Sequence, residues 1–156
     1  MRQTQCTAVR TPQSAGFSLV ELMIVIAVVG LLAMVALPSF MDSIRKGRRS
    51  EGIAAIAAIQ QAQERWRASN PAYTTALADL SANATTAQGY YGMALSAPTA
   101  PDTLAIGYTV TATAASSQTA DTKCAKLAVE ILRGNLRYGS GTGLIDWTDA
   151  NRCWAK

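Results

Sequence analysis

The sequence predicts an α+β fold: a long N-terminal helix, membrane-spanning in its first half, whose second half packs on a small antiparallel β-sheet. Three observations predict it. From Leu22 to Met41 the chain runs 20 residues without a charge, about the length a helix needs to cross the hydrocarbon core of a bilayer. Behind that run, Ile53, Ile56, Ile59, Gln63 and Trp66 recur at helical spacing among alanines and polar residues, the stripe of an amphipathic helix. Further on the period changes to two. Leu104, Ile106, Tyr108 and Val110 alternate with small and hydroxyl residues, and Leu127, Val129 and Ile131 do the same, as half-buried strands do.

The N-terminus comes first in the chain and carries the most specific signal. Residues 1–16 form a polar leader with Arg2 and Arg10 and no acid. It leads into Gly16-Phe17-Ser18-Leu19-Val20-Glu21, and Glu21 is the one carboxylate at the start of the apolar run. A charge on a membrane helix costs about 2.5–3.5 kcal/mol at the centre on insertion scales, which marks Glu21 as functional. A secretory signal peptide would have a shorter apolar stretch with a small-residue cleavage site after it, whereas here the glycine lies before the run. This order of basic leader, glycine, aromatic residue and glutamate resembles the leader of type IV pilins and related pseudopilins. The resemblance implies that a prepilin peptidase cuts between Gly16 and Phe17, that the new amine of Phe17 is N-methylated, and that Glu21 serves filament assembly. It also implies that Gly30 and Pro38 interrupt the helix where the family's helix loosens on packing into a filament.

From Phe17 the chain reads as helix almost to Ser69. Gly30 costs about 1 kcal/mol relative to alanine, and Pro38 lacks a backbone donor, so the segment between them is a candidate for bending. Residues 17–40 form the membrane and assembly helix and 41–70 its amphipathic continuation, stopped by Ser69-Asn70-Pro71. Residues 71–156 form the soluble domain. It opens on a polar loop with one helical turn near Thr75–Leu80, then three strands, Tyr90–Ser96, Leu104–Ala114 and Ala125–Arg133, joined by short loops that favour an antiparallel meander. The tail from Gly134 reads as a loop rich in glycine and polar residues.

Of the three cysteines, Cys6 lies in the leader, which leaves Cys124 and Cys153. In an exported domain an even pair reads as a disulfide by default. In type IVa pilins such a pair bounds the C-terminal contact loop, and the text around Tyr108, Cys124 and Cys153-Trp154 is similar to PilE-type minor pilins. One signal opposes export. Arg45, Lys46, Arg48 and Arg49 follow the apolar run, which the positive-inside bias alone would keep in the cytoplasm. The leader and the cysteine pair outweigh it.

Composition excludes more than it assigns. There is no histidine, hence neither the commonest general base nor the commonest metal ligand. No phosphate-loop, CxxC or GxSxG motif occurs, and Gly139–Gly143 lacks the lysine and helix of a phosphate loop, so it reads as a flexible turn. The expectation is a non-enzyme without cofactor or metal: a minor pilin, held in the bacterial inner membrane as a precursor with its soluble domain periplasmic, then assembled with other pilins by the assembly platform into an extracellular pilus. A net charge of +4 in 156 residues is too mild to argue a nucleic-acid partner alone. A DNA-binding minor pilin is nonetheless the alternative from another class. Lys123, Lys126, Arg133, Arg137, Arg152 and Lys156 are its candidate contacts, with Tyr138, Trp147 and Trp154 interleaved for stacking and Asp121, Glu130, Asp146 and Asp149 opposing. A type II secretion pseudopilin shares the helix, but the cysteine pair favours pili.

Overall fold

The computed structural model describes residues 16–148, 153 and 154. The chain divides into two units, one ending at Ser39 and one running from Phe40. A single helix, α1 (Leu19–Arg67), forms the described part of the first and continues into the second. In the first unit every described residue is exposed except Ala33, which is half-buried. Its apolar side chains therefore have no partner within this unit. Gly30 and Pro38 both sit inside α1, and the helix runs through them without a break.

In the second unit α1 buries Gly52, Ile56, Ile59, Ala62 and Gln63, a stripe at spacings of three and four that a helix stacks on one face. It packs on a four-stranded sheet in sequential order, β1 (Tyr91–Ser96), β2 (Gly107–Ala114), β3 (Lys126–Leu132) and β4 (Asn135–Gly141). All three pairings are antiparallel. Opposite one another stand Tyr108 and Ile131, Val110 and Val129, and Ala112 and Leu127. Tyr91, Tyr108, Val110, Leu127 and Val129 are fully buried, with Ile56 and Ile59 from the helix in the same cluster. At Gly52 the helix comes close to the sheet: a Cβ there would lie 3.1 Å from the Tyr91 ring.

Gln63 is fully buried and polar, and its amide explains it. Nε2 donates to the Thr74 carbonyl at 2.6 Å, and the Thr74 N–H donates to Oε1 at 3.2 Å. The side chain thus takes the place of a peptide partner for the loop leaving the helix, and the buried polar group is satisfied.

The sheet differs from the sequence expectation at two places. The second strand starts at Gly107, not Leu104. The Leu104 and Ile106 carbonyls instead accept from the N–H groups of Tyr73 and Arg133, at 2.9 and 2.8 Å. The larger difference is β4, which the sequence reading left in a loop. Arg133 and Gly134 have φ of 52° and 79°, as a two-residue type I′ hairpin requires at both central positions. The glycines that made the stretch look like a flexible turn have a packing role. Ser140 and Asp146 exchange backbone hydrogen bonds of 3.1 and 2.8 Å, folding the chain back over the strand. A Cβ at Gly139 would collide with Ile145 and Trp147, and one at Gly141 with the Leu144 carbonyl. Cys124, just before β3, is disulfide-bonded to Cys153 across 29 residues of sequence.

Candidate functional site

At the N-terminus of α1 the Glu21 N–H donates to Ser18 Oγ at 3.1 Å. Ser18 precedes the first helical residue, so it is the N-cap, and Glu21 stands at the third helical position. This is the Ser-x-x-Glu spacing of a capping box, in which the cap oxygen satisfies an orphan backbone donor. The anionic carboxylate also sits at the positive end of the helix dipole. Sequence reasoning singled out Glu21 and passed over Ser18; the signal was the serine three residues earlier. Gly16 and Phe17 are exposed, Phe17 at 87%.

The basic cluster behind the apolar run is largely absorbed by the soluble domain. Arg45 pairs with Asp42 at 2.9 Å. The Arg48 guanidinium lies 4.4 Å from the centre of the Tyr90 ring and donates to Ser117 Oγ at 2.9 Å. Arg49 grips Asp121 with two bonds, at 2.6 and 2.8 Å, both side chains largely buried. The bond to Asp121 holds the Arg49 guanidinium above its ordinary pKa, against the opposing effect of burial. Gln118, fully buried, donates from Nε2 to the Arg45 carbonyl, the Tyr91 hydroxyl and Asp121 Oδ2, each at 3.1 Å. These bonds fasten the 3₁₀ turn Ser116–Ala120 to the helix.

Several of the candidate DNA contacts are already engaged by other side chains. Arg133 pairs with Asp102 at 2.6 Å. Arg137 pairs with Glu130 and lies 5.0 Å from the centre of the Trp147 ring. Trp154 packs edge-on against Tyr138 at 4.8 Å and donates its Nε1–H to the Gly139 carbonyl at 3.1 Å. The two tryptophans are thus engaged by neighbouring side chains. Arg152, Lys156 and Asp149 lie outside the described residues. Among the described residues Lys123 and Lys126 make no ion pair. Lys123 instead joins Lys46 and Arg49 around a cavity of about 560 Å³, walled by the disulfide and by Ser140–Thr142. Lys46, exposed and also outside any ion pair among the described residues, was not among the residues the sequence reading assigned to binding. Nothing local marks it out from the three arginines around it.

Two family models match the chain. One, described as "Type IV minor pilin ComP, DNA uptake sequence receptor", covers residues 38–128, more than half of the chain. The other, "Prokaryotic N-terminal methylation motif", covers residues 12–37. Among curated proteins, the type IV major pilin protein PilE1 of Neisseria gonorrhoeae is 58% identical over 38 residues, 24% of this chain and 23% of that protein. The type IV major pilin protein PilA of Myxococcus xanthus is 40% identical over 53 residues, 34% and 24% of the two chains. Fimbrial protein Q of Moraxella bovis is 49% identical over 43 residues, 28% and 27% of the two chains. The matched stretches span about a quarter of the length of these relatives.

Proposed function

Because the chain belongs to the type IV minor pilin family whose model spans residues 38–128, we propose that it is a structural subunit of a type IV pilus. The observation that carries this reading is a 49-residue helix whose first half exposes a continuous apolar surface that its own unit does not cover, ahead of a disulfide-closed domain. Such a surface is stable in lipid before assembly, or among the same helices of other pilins afterwards. Its role is structural, with no catalytic step.

Under this reading residues 1–16 are the leader, cut by a prepilin peptidase at Gly16–Phe17, and the Phe17 amine is methylated. The freed cationic amine is the natural partner for Glu21, since a carboxylate in an apolar environment favours a nearby positive charge. Residues 17–40 lodge in the inner membrane of the precursor, the soluble domain faces the periplasm, and the assembly platform transfers the subunit to the filament. Local loosening of α1 between Gly30 and Pro38 belongs to the packed state. The test is fractionation: the epitope-tagged chain in a piliated host should be recovered with other pilins in filaments sheared from cells. A processed chain found only in the membrane would overturn the reading.

A second reading, a filament subunit that also binds DNA, is favoured by the description of the matched family. Its support here rests on Lys123 and Lys126, the two described candidates that no acid neutralises.

A further inference from the structure

The cavity beside the disulfide carries a second binding chemistry. Three of the four cations that follow the apolar run are occupied by Asp42, by Tyr90 and Ser117, and by Asp121. Among the described residues Lys46 has no such partner, and it lines the cavity with Lys123, which lies far along the sequence from it. Among the described lining residues the carboxylate is Asp146, whose contacts include the Thr148 N–H and hydroxyl, from which it accepts at 2.8 and 2.6 Å. Two ammonium groups that no described acid pairs, around about 560 Å³, make a site for one compact anion. Leu144, 92% exposed, borders the same cavity. An apolar side chain at the rim of a cationic pocket suits a ligand whose anionic and hydrocarbon parts adjoin, more than it suits a wholly polar anion.

The sequence places Lys46 close behind the uncharged run. Lys46 follows Met41, the last residue of the uncharged run, by five residues, which is about 7 Å of helix rise. The headgroup layer outside a bilayer's hydrocarbon core is about 5–8 Å thick on each side. In a membrane-inserted chain Lys46 therefore stands at the level of lipid phosphates, where basic residues next to a span attract anionic lipid.

We propose that the pocket lined by Lys46, Lys123 and Leu144 binds the phosphodiester headgroup of an anionic phospholipid while the subunit is stored in the membrane. This rests on the membrane-inserted state of the pilin reading and does not require filament incorporation. The lipid is then a ligand the subunit must release on leaving the bilayer, so the site couples storage to extraction.

The test uses the full chain in detergent micelles doped with phosphatidylglycerol or phosphatidylcholine, with retained lipid read by native mass spectrometry. Phosphatidylglycerol should be retained about tenfold over phosphatidylcholine, and Lys46→Gln with Lys123→Gln should abolish that preference. Lys126→Gln, off the pocket lining, should leave it intact. Equal retention of both lipids, or a preference that survives the double substitution, overturns the proposal. Glycerol phosphate competing as well as the lipid would reduce the site to a free-phosphate pocket and overturn the lipid assignment. Displacement by a short DNA duplex but not by added phosphatidylglycerol would assign the pocket to nucleic acid instead. Circular dichroism and the intact disulfide report whether the variants are folded. Sheared-filament recovery of the same variants tests the pilin reading separately.

Discussion

Glu21 does two things that one substitution cannot separate: it occupies the third position of a capped helix, and it carries a charge at the edge of an apolar run. Glutamine keeps the first and removes the second, since either residue serves at that place in a capping box. Glu21→Val and Glu21→Gln should both be cut and inserted normally, and both should be absent from sheared filaments. Filaments containing Glu21→Gln would mean that the carboxylate's charge is dispensable and its role is capping. Tyr108 is a different case. Its hydroxyl is buried without a hydrogen-bond partner among the described residues, so Tyr108→Phe should be neutral or stabilising by up to about 1 kcal/mol in denaturant melts. Burial also pushes the Tyr108 phenol well above its ordinary pKa, with smaller contributions from Glu64 and Tyr73. The unfolded phenol ionises near pH 10, before the folded one. The stability tied to this group is therefore complete below about pH 10 and falls at up to about 1.4 kcal/mol per pH unit above it. Tyr108→Phe should flatten the alkaline loss, and an unchanged slope between pH 9 and 11 would refute that account.

Among the elements, the join between α1 and the turn before β3 depends on a buried ion pair. Removing one partner leaves an uncompensated charge, so Arg49→Met should cost about 3–5 kcal/mol. Replacing Asp121 with Leu in the same chain should recover most of that loss. Additive losses in the double variant would show that the two residues act independently. Two of the candidate DNA contacts, Arg133 and Arg137, are exposed but already paired with Asp102 and Glu130. If the chain binds duplex DNA, Lys123→Gln and Lys126→Gln should each lower the salt slope of binding by about one. Arg133→Gln and Arg137→Gln should change it little, and the reverse ranking in salt titrations would discard the lysine surface.

At the scale of the whole molecule the disulfide joins the chain's end to the start of β3. Closing a loop of that length contributes about 3–4 kcal/mol in the chain-entropy account. Cys153→Ser should lower stability by about 2–5 kcal/mol, free Trp154 from Tyr138 and the Gly139 carbonyl, and shift tryptophan emission to the red. Emission unchanged in a folded Cys153→Ser protein would mean that the tail is held by its side chains. Processing is a property of the whole chain as well. The mature protein should begin at Phe17 with one added methyl group, and an intact leader in filaments would remove the basis for the Gly16–Phe17 cut.

What the sequence determined by itself is what periodicity and neighbouring residues encode. The uncharged run, the three- and four-residue stripe on α1 and the period of two in β2 and β3 were legible because each is written in adjacent residues. So was the capping serine, had the Ser-x-x-Glu spacing been read. The strand β4 was half-legible: Leu136 and Tyr138 alternate, but the arginine at positive φ and the three nearby glycines imitate a loop. Only the tertiary structure decided which charges are free. Arg49 and Asp121 are 72 residues apart in sequence, and Lys46 meets Lys123 only because helix and sheet pack together. Composition counts charges of each sign, whereas neutralisation acts over a few ångströms, so the fold determines which of them remain available to a ligand.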